Sequence, residues 1–95
     1  MQTKKISQTT IDIQVRFFQA IDVLIQQKKL KGLKTFCGIY GLEKAKYTKL
    51  KNAMLPPKKE SVYKLIEIDA LTYLVKDFKV SADWLLTGRG DKMFK

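Results

Sequence analysis

The sequence contains no histidine and only one cysteine, Cys37. A single cysteine rules out an intramolecular disulfide, and without histidine it does not complete a thiolate–imidazole metal site. No histidine is present to activate Cys37 as a nucleophile, and the aspartates are spread along the chain rather than paired for acid–base catalysis. We therefore expect no metal, no cofactor and no enzymatic activity.

Long apolar runs are also missing. No stretch approaches the ~18 consecutive apolar residues that indicate a membrane-spanning helix. The N-terminal residues, MQTKKISQTT, have no apolar run after their lysines, as a signal peptide would. We therefore expect a cytoplasmic protein. The 95 residues, of which 45% are hydrophobic, suit one small globular domain.

Acidic residues are scarce, and the positive charge is concentrated in one part of the chain. Nineteen lysines and arginines stand against nine acidic residues, giving a net charge of +10. Residues 28–59 hold ten lysines against the single carboxylate of Glu43, and the flanking regions are nearly neutral. Solvated lysines are the ordinary explanation of such a run. Its coincidence with the motif below favours a phosphate-binding surface.

Residues 33–52, LKTFCGIYGLEKAKYTKLKN, have the pattern of two short helices joined by a tight turn. Gly41 can adopt the left-handed backbone conformation that the turn needs, and the small Cys37 lets a second helix cross closely. The predicted inner face consists of Phe36, Tyr40, Leu42, Tyr47 and Leu50. The predicted outer face consists of Glu43, Lys44, Ala45, Lys46, Thr48 and Lys49. This is the helix-turn-helix pattern, whose second helix enters the major groove of DNA.

Five helices are expected, at about residues 12–28, 33–40, 43–53, 70–78 and 82–87. Thr9 or Thr10 is the predicted cap of the first helix, Asp69 of the fourth and Ser81 of the fifth. The buried stripe of the first helix is predicted at Ile13, Phe17, Ala20, Ile21 and Leu24, widened by Phe18 and Ile25. The buried face of the fourth is predicted at Leu71, Leu74, Val75 and Phe78.

The remaining segments divide the chain. Residues 1–10 are expected to be a flexible N-terminus, residues 11–90 the helical domain and residues 91–95 a tail. Met93 and Phe94 in this tail are expected to fold back onto the core or onto a partner. Residues 58–68, rich in β-branched side chains, are predicted to be extended.

Two stretches resemble the phage-repressor-like helix-turn-helix proteins, the lambda repressor/Cro class. One is LKTFCGIYGLEKAKYTKLK, and the other is LTYLVKDFKVSADWLLTG, which is similar to the fourth and fifth helices of that class. The resemblance implies an all-α, five-helix domain. The connection between the third and fourth helices is longer than usual by roughly ten residues, which leaves room for an extended or inserted segment.

The resemblance also implies a sequence-specific DNA-binding transcriptional regulator, a small phage- or mobile-element-type repressor that occupies an operator. Its partners would be double-stranded DNA and a second copy of the chain, with no membrane and no small-molecule ligand. A two-fold dimer would read half-sites about 34 Å apart. The dimer surface is expected either at the fifth helix with Met93 and Phe94, or at residues 62–68 pairing edge to edge.

By position in this class, the first residues of the third helix face base edges. The predicted base-reading residues are Glu43, Lys44, Ala45, Thr48 and Lys49. Lys34 and Thr35, in the first turn of the second helix, are predicted to contact phosphate with the help of the helix dipole. Further phosphate contacts are predicted for Lys46, Lys51, Lys58 and Lys59.

Two other functions fit the sequence. The chain can be a protein-interaction module, such as an antitoxin or a phage accessory factor whose tail binds a partner. It can also be a non-specific nucleic-acid binder that acts through charge alone. Competition with random DNA separates a non-specific binder from a regulator, because a regulator binds its site about 10³-fold or more tightly than random DNA.

Overall fold

The computed structural model describes residues 7–54, 65–90 and 92–95, without the side chains of residues 53 and 54. This part of the chain is helical apart from loops, turns and one isolated antiparallel bridge between Val80 and Phe94. Its five helices are α1 (Gln8–Gln26), α2 (Leu33–Tyr40), α3 (Lys44–Met54), α4 (Ile68–Phe78) and α5 (Ala82–Thr87). The predicted all-α class is confirmed.

The N-terminal ends of two helices differ from their predicted positions. α1 begins at Gln8 because Ser7, not Thr9 or Thr10, is its cap: the Ser7 hydroxyl accepts a hydrogen bond from the Thr10 amide at 3.1 Å. Residues 8–10 are therefore helical, although they were assigned to the flexible N-terminus. α4 begins at Ile68, so Asp69 is a first-turn residue rather than the cap, and its charge favours the helix dipole there.

The segment between α3 and α4 is described only at its end. Residues 55–64 lie outside the described residues, and with them most of the segment that was predicted to be extended. Residues 65–67 are not helical, in keeping with that prediction, but Ile68 already belongs to α4.

Aromatic side chains of α1 form the centre of the core. The fully buried rings of Phe17 and Phe18 meet edge to face, with centroids 5.0 Å apart. The Phe17 ring also lies 5.8 Å from that of Phe36 on α2 and 6.0 Å from that of Tyr47 on α3. Edge-to-face and tilted pairs of this kind stabilise a core beyond the area they bury. α1 is thus the element against which both α2 and α3 pack.

The predicted apolar stripes are mostly confirmed. The fully buried positions in α1 and α4 include Phe17, Phe18, Ala20, Ile21, Leu24 and Leu74. Ile13 is only partly buried, and the other predicted positions are partly buried and pack at the margin of the core: Ile25, Leu71, Val75 and Phe78. The buried Gln14 was not predicted; its side-chain oxygen accepts a hydrogen bond from the Ile66 amide at 2.9 Å.

Arg16 attaches α5 to α1. Its guanidinium donates to the carbonyl of Leu85 at 2.8 Å and to that of Leu86 at 3.2 Å. These carbonyls lie in the last turn of α5, where intrahelical donors run out and a cation also offsets the helix dipole. The side chain of Arg16 therefore caps a helix that is distant in sequence.

The C-terminal tail folds back onto the core, as one of the two predictions for it states. The Ser81 amide donates to the Met93 carbonyl at 2.7 Å, and the Lys95 amide donates to the Lys79 carbonyl at 2.8 Å. Met93 and Phe94 are partly buried against the core. The tail thus pairs with the short connection between α4 and α5.

Three helices end at a residue in the left-handed backbone region, and α1 is followed by one just beyond its last residues. Gly41 (φ 69°) ends α2 and Gly88 (φ 74°) ends α5, as expected for a residue without Cβ. The same conformation is adopted by Lys28 (φ 64°), just after α1, and by Lys79 (φ 62°), which ends α4. A side chain at these two positions crowds the backbone, so they are strained.

We expect Lys79→Gly to be more stable than Lys79→Ala by about 0.5–1 kcal/mol. Both variants lose the charge, but only glycine relieves the left-handed strain of about 1–2 kcal/mol, less its own larger folding entropy. Chemical denaturation of the two variants measures the difference. An alanine variant as stable as the glycine variant would show that Lys79 is not strained.

Candidate nucleic-acid interface

A three-residue turn, Gly41 to Glu43, joins α2 to α3. The amides of Gly41 and Leu42 both donate to the Cys37 carbonyl, the second at 2.8 Å. The Tyr47 amide donates to the Glu43 carbonyl at 3.2 Å, so α3 starts directly after Glu43. The turn is closed by backbone hydrogen bonds that the left-handed conformation of Gly41 makes possible.

Cys37 is a packing residue in this unit. It is fully buried, as its small size predicted. Burial raises the pKa of its thiol, the nearby Lys44 ammonium opposing this effect only in part. The thiol is therefore protonated at neutral pH, which suits an inert core residue.

The inner face of α3 packs against the rest of the domain. Tyr47 is fully buried and Leu50 nearly so, which confirms their predicted positions. Phe36 of α2 is also fully buried, whereas Tyr40 and Leu42 are only partly covered. The Tyr40 ring stacks on Tyr73 of α4, with centroids 4.0 Å apart.

The Glu67 carboxylate fixes this inner face to the start of α4. The Tyr47 hydroxyl donates to Glu67 Oε1, and the Glu67 amide donates back to the Tyr47 oxygen at 3.4 Å. The Lys46 ammonium lies 3.3 Å from Glu67 Oε1. The Tyr47 hydrogen bond and the Lys46 charge lower the pKa of Glu67, while burial and the bond to Glu67 raise the pKa of Tyr47. These contacts hold α3 against α4.

Lys46 does not lie on the outer face, contrary to the prediction. Its side chain is 16% exposed and is turned toward Glu67, which supplies the opposite charge. Lys51, another predicted phosphate contact, lies 3.3 Å from the Asp22 carboxylate of α1 but keeps 35% of its side chain exposed. Lys58 and Lys59 lie outside the described residues.

The outer face of α3 is open to solvent. Glu43, Lys44, Ala45 and Lys49 are exposed, and Thr48 is partly exposed. Within the described residues, no carboxylate lies within ion-pairing distance of Lys44 or Lys49. The structure therefore brings together the five predicted base-reading residues on or beside one accessible helix face.

The N-terminus of α2 has no side-chain cap. The amides of Thr35 and Phe36 donate to the Gly32 carbonyl at 3.1 and 3.2 Å, but no side chain accepts from the first amides of the helix. Lys34 is exposed beside them, and Thr35 is partly exposed. Free amides, a helix dipole and a lysine at one place suit an anion.

Sequence reasoning missed the role of Glu67. It fell in a segment predicted to be extended, and its partner Tyr47 is 20 residues away. A carboxylate next to a helix start carries no signal for such a distant partner. The one available signal is the predicted burial of Tyr47, because a buried tyrosine hydroxyl needs a hydrogen-bond acceptor somewhere in the fold.

Comparisons of the chain with known protein families, curated proteins and solved structures find no match. Across residues 7–54, 65–90 and 92–95, no helix has both the length and the apolarity to cross a membrane. The same residues contain no group of three or more histidine, cysteine, aspartate or glutamate side chains placed to hold a metal ion.

Glu67→Gln should lower the melting temperature at neutral pH and have little effect in acid. The pKa of Glu67 is lower in the folded chain than in the unfolded chain, where it is about 4.3. Its stabilising effect is thus complete above that value and disappears as pH falls through the folded pKa. Circular dichroism melts of both proteins between about pH 7 and pH 3 measure this change.

The matched control is Asp69→Asn, which removes a carboxylate from the same end of α4. None of the hydrogen bonds or ion pairs of the described residues joins Asp69 to Tyr47 or Lys46. Its melting temperature should fall less at neutral pH. A difference between wild type and Glu67→Gln that is the same at all pH values would contradict the proposed role of the carboxylate.

Proposed function

We propose that the protein is a sequence-specific DNA-binding transcriptional regulator, a small repressor that occupies an operator through α3 in the major groove. The observation that carries this proposal is the contrast between the two faces of α3. Tyr47 and Leu50 are buried, while Lys44 and Lys49 are exposed without a carboxylate partner in the described part of the chain. Together with the order of the five helices, this supports a lambda-repressor-like helix-turn-helix domain.

The exposed side chains have the chemistry to read bases. Lysine ammonium groups can donate to the O6 and N7 atoms of guanine, so Lys44 and Lys49 are assigned to guanine. The Glu43 carboxylate can accept from cytosine N4. The methyl groups of Ala45 and Thr48 can contact the thymine methyl.

Phosphate contacts would position the domain on the duplex. Lys34, Thr35 and the free amides of α2 form the best-supported phosphate site, because three kinds of donor meet there. Lys51 can reach a phosphate with its exposed part, whereas Lys46, whose ammonium is paired with Glu67, is left out of the proposed phosphate contacts. Lys58 and Lys59 are proposed from the sequence alone.

A second copy of the chain would be needed to bind a complete operator. One recognition helix covers only a few base pairs, so a two-fold dimer on half-sites about 34 Å apart is proposed. Leu86 on α5 is 45% exposed, while Met93 and Phe94 already pack against their own core. The outer side of α5 around Leu86 is therefore the proposed dimer surface. Edge-to-edge pairing of residues 62–68 is less suitable, because Ile68 is helical.

The double variant Lys44→Ala, Lys49→Ala should lose discrimination between operator and random DNA by at least about 30-fold, because each base contact is worth about 1–3 kcal/mol. The operator is first obtained by selecting bound sequences from a random pool with the wild-type protein. Competition binding at fixed salt then measures the ratio of affinities.

The matched control is Lys76→Ala, which removes an exposed lysine from α4. It should leave the ratio unchanged. Unchanged discrimination by the double variant, with an intact helical spectrum, would eliminate α3 as the reading helix. A wild-type protein that prefers no sequence would be a non-specific binder. A stoichiometric protein partner without any DNA shift would favour the interaction module.

Leu86→Glu should convert the dimer into a monomer and weaken operator binding, because a charge would be buried at the proposed surface. Sedimentation equilibrium measures the mass, and a band-shift assay measures binding. Ile39→Glu is the control, since Ile39 is 58% exposed and lies on α2, outside both α5 and residues 62–68. A wild-type protein that remains a monomer on its operator would rule out the dimer.

A further inference from the structure

A second group of lysines meets where the tail folds back, distant in sequence from α3. The Lys95 amide donates to the Lys79 carbonyl at 2.8 Å, and the Lys29 ammonium lies 5.9 Å from the centre of the neighbouring Phe94 ring. Lys28 precedes Lys29 in the chain. We call these four residues, Lys28, Lys29, Lys79 and Lys95, the tail-side lysine cluster. All four are exposed.

Among the described residues, no side-chain carboxylate forms an ion pair with the four lysines of the cluster. The two ion pairs found among the described residues belong to Lys46 and Lys51 and leave these four lysines unpaired. The bridge between Val80 and Phe94 places Lys79 and Lys95 opposite each other, and like charges at neighbouring positions repel each other. An anionic partner would remove this repulsion.

The backbone gives an independent reason to assign a function to the cluster. Lys28 and Lys79 are the only non-glycine residues with positive φ in the described part of the chain, and both belong to it. Glycine takes the equivalent position after α2 and α5. A lysine near a helix C-terminus offsets the dipole, but Lys29 and Lys76 already supply such charges without left-handed strain. Left-handed backbone at residues other than glycine occurs often at functional sites.

We propose that the tail-side lysine cluster binds phosphate groups of the same duplex that α3 reads. These phosphates would lie beyond the base pairs that α3 contacts. This inference rests on the proposed function. Lys31 and Lys34 continue the row of lysines from the cluster to the N-terminus of α2, and Lys28 and Lys34 are at most about 20 Å apart, given the reach of six residues. Because this row of exposed lysines leads to the proposed phosphate site at the N-terminus of α2, the phosphate backbone of the same duplex is the partner that fits the cluster, and lysine binds phosphate as a point charge.

The salt dependence of binding to a random-sequence DNA duplex tests this proposal. The triple variant Lys29→Gln, Lys79→Gln, Lys95→Gln should reduce the slope of log K against log salt by about 0.9 for each phosphate contact that is lost. Glutamine keeps the backbone as it is. Lys76→Gln, an exposed lysine of the same helix as Lys79, should not change the slope. Fluorescence anisotropy over a series of KCl concentrations measures each slope.

The glycine variant Lys28→Gly, Lys79→Gly separates binding from packing. It should raise the melting temperature and lower the slope together, because it removes strain and charge at once. A slope equal to that of wild type in both multiple variants would overturn the proposal. It would also be overturned if the triple variant kept its slope on DNA but no longer bound poly-glutamate, which would assign the cluster to an acidic protein.

Failure of the proposed function gives a different result. A wild-type protein that binds the random duplex with a steep slope but shows no sequence preference would refute the regulator. The slopes of the cluster variants would still show whether these lysines contact phosphate. Conversely, if the protein selects a site but its cluster variants bind as the wild type does, only the proposal that the cluster binds phosphate is refuted.

Discussion

The burial of Tyr47 is the constraint on which the arrangement of α3 depends. Its ring packs on Phe17 of α1, and its hydroxyl reaches the carboxylate of Glu67 beside α4. Successive residues of a helix are about 100° apart around its axis. Ala45 and Lys49, each two residues from Tyr47, therefore face the opposite side, while Lys46 and Thr48 lie at the flanks. One buried side chain thus sets the outward direction of Ala45 and Lys49, whereas Lys44, about 60° from Tyr47 around the axis, is exposed at the first residue of α3.

The few carboxylates near α3 divide its lysines into two groups. Glu67 pairs with Lys46, and Asp22 pairs with Lys51. These two lysines stabilise the packing of α3, and their charges are compensated locally. The lysines of the outer face have no such partners among the described residues. Two acidic residues thus neutralise lysines on the inner side of α3, whereas Glu43 is the one carboxylate beside the predicted base-reading lysines. Lys44 and Lys49 therefore keep a positive charge on the outer face.

The parts of the fold that the sequence predicted well are those determined by local chemistry. α2 and α5 have the predicted bounds, because Gly41, Ser81 and Gly88 are strong local signals for helix ends. The start of α1 was wrong because three hydroxyl side chains compete as caps within four residues. The flank position of Lys46 was also open to prediction, because helical periodicity places it about 100° from Tyr47. The contact of Tyr47 with Glu67 was not open to prediction, since it joins positions 20 residues apart. The five predicted base-reading residues lie together because they are close in sequence, in and just before a single helix.

The lysines at the ends of α1 and α4 show the same division between stability and surface chemistry. A glycine at Lys28 or Lys79 would fit the backbone better, as Gly41 and Gly88 do at the equivalent positions. The chain instead carries charge there, beside a tail whose backbone bridge brings Lys95 to Lys79. Packing does not favour this choice, because both side chains are exposed and a side chain in the left-handed region adds strain. Charge at the surface does account for it, provided that an anion is the partner. The exposed face of α3 and the tail-side lysine cluster then share one feature. In both, the packed helices hold lysines at the surface, and no side-chain carboxylate of the described residues pairs with them.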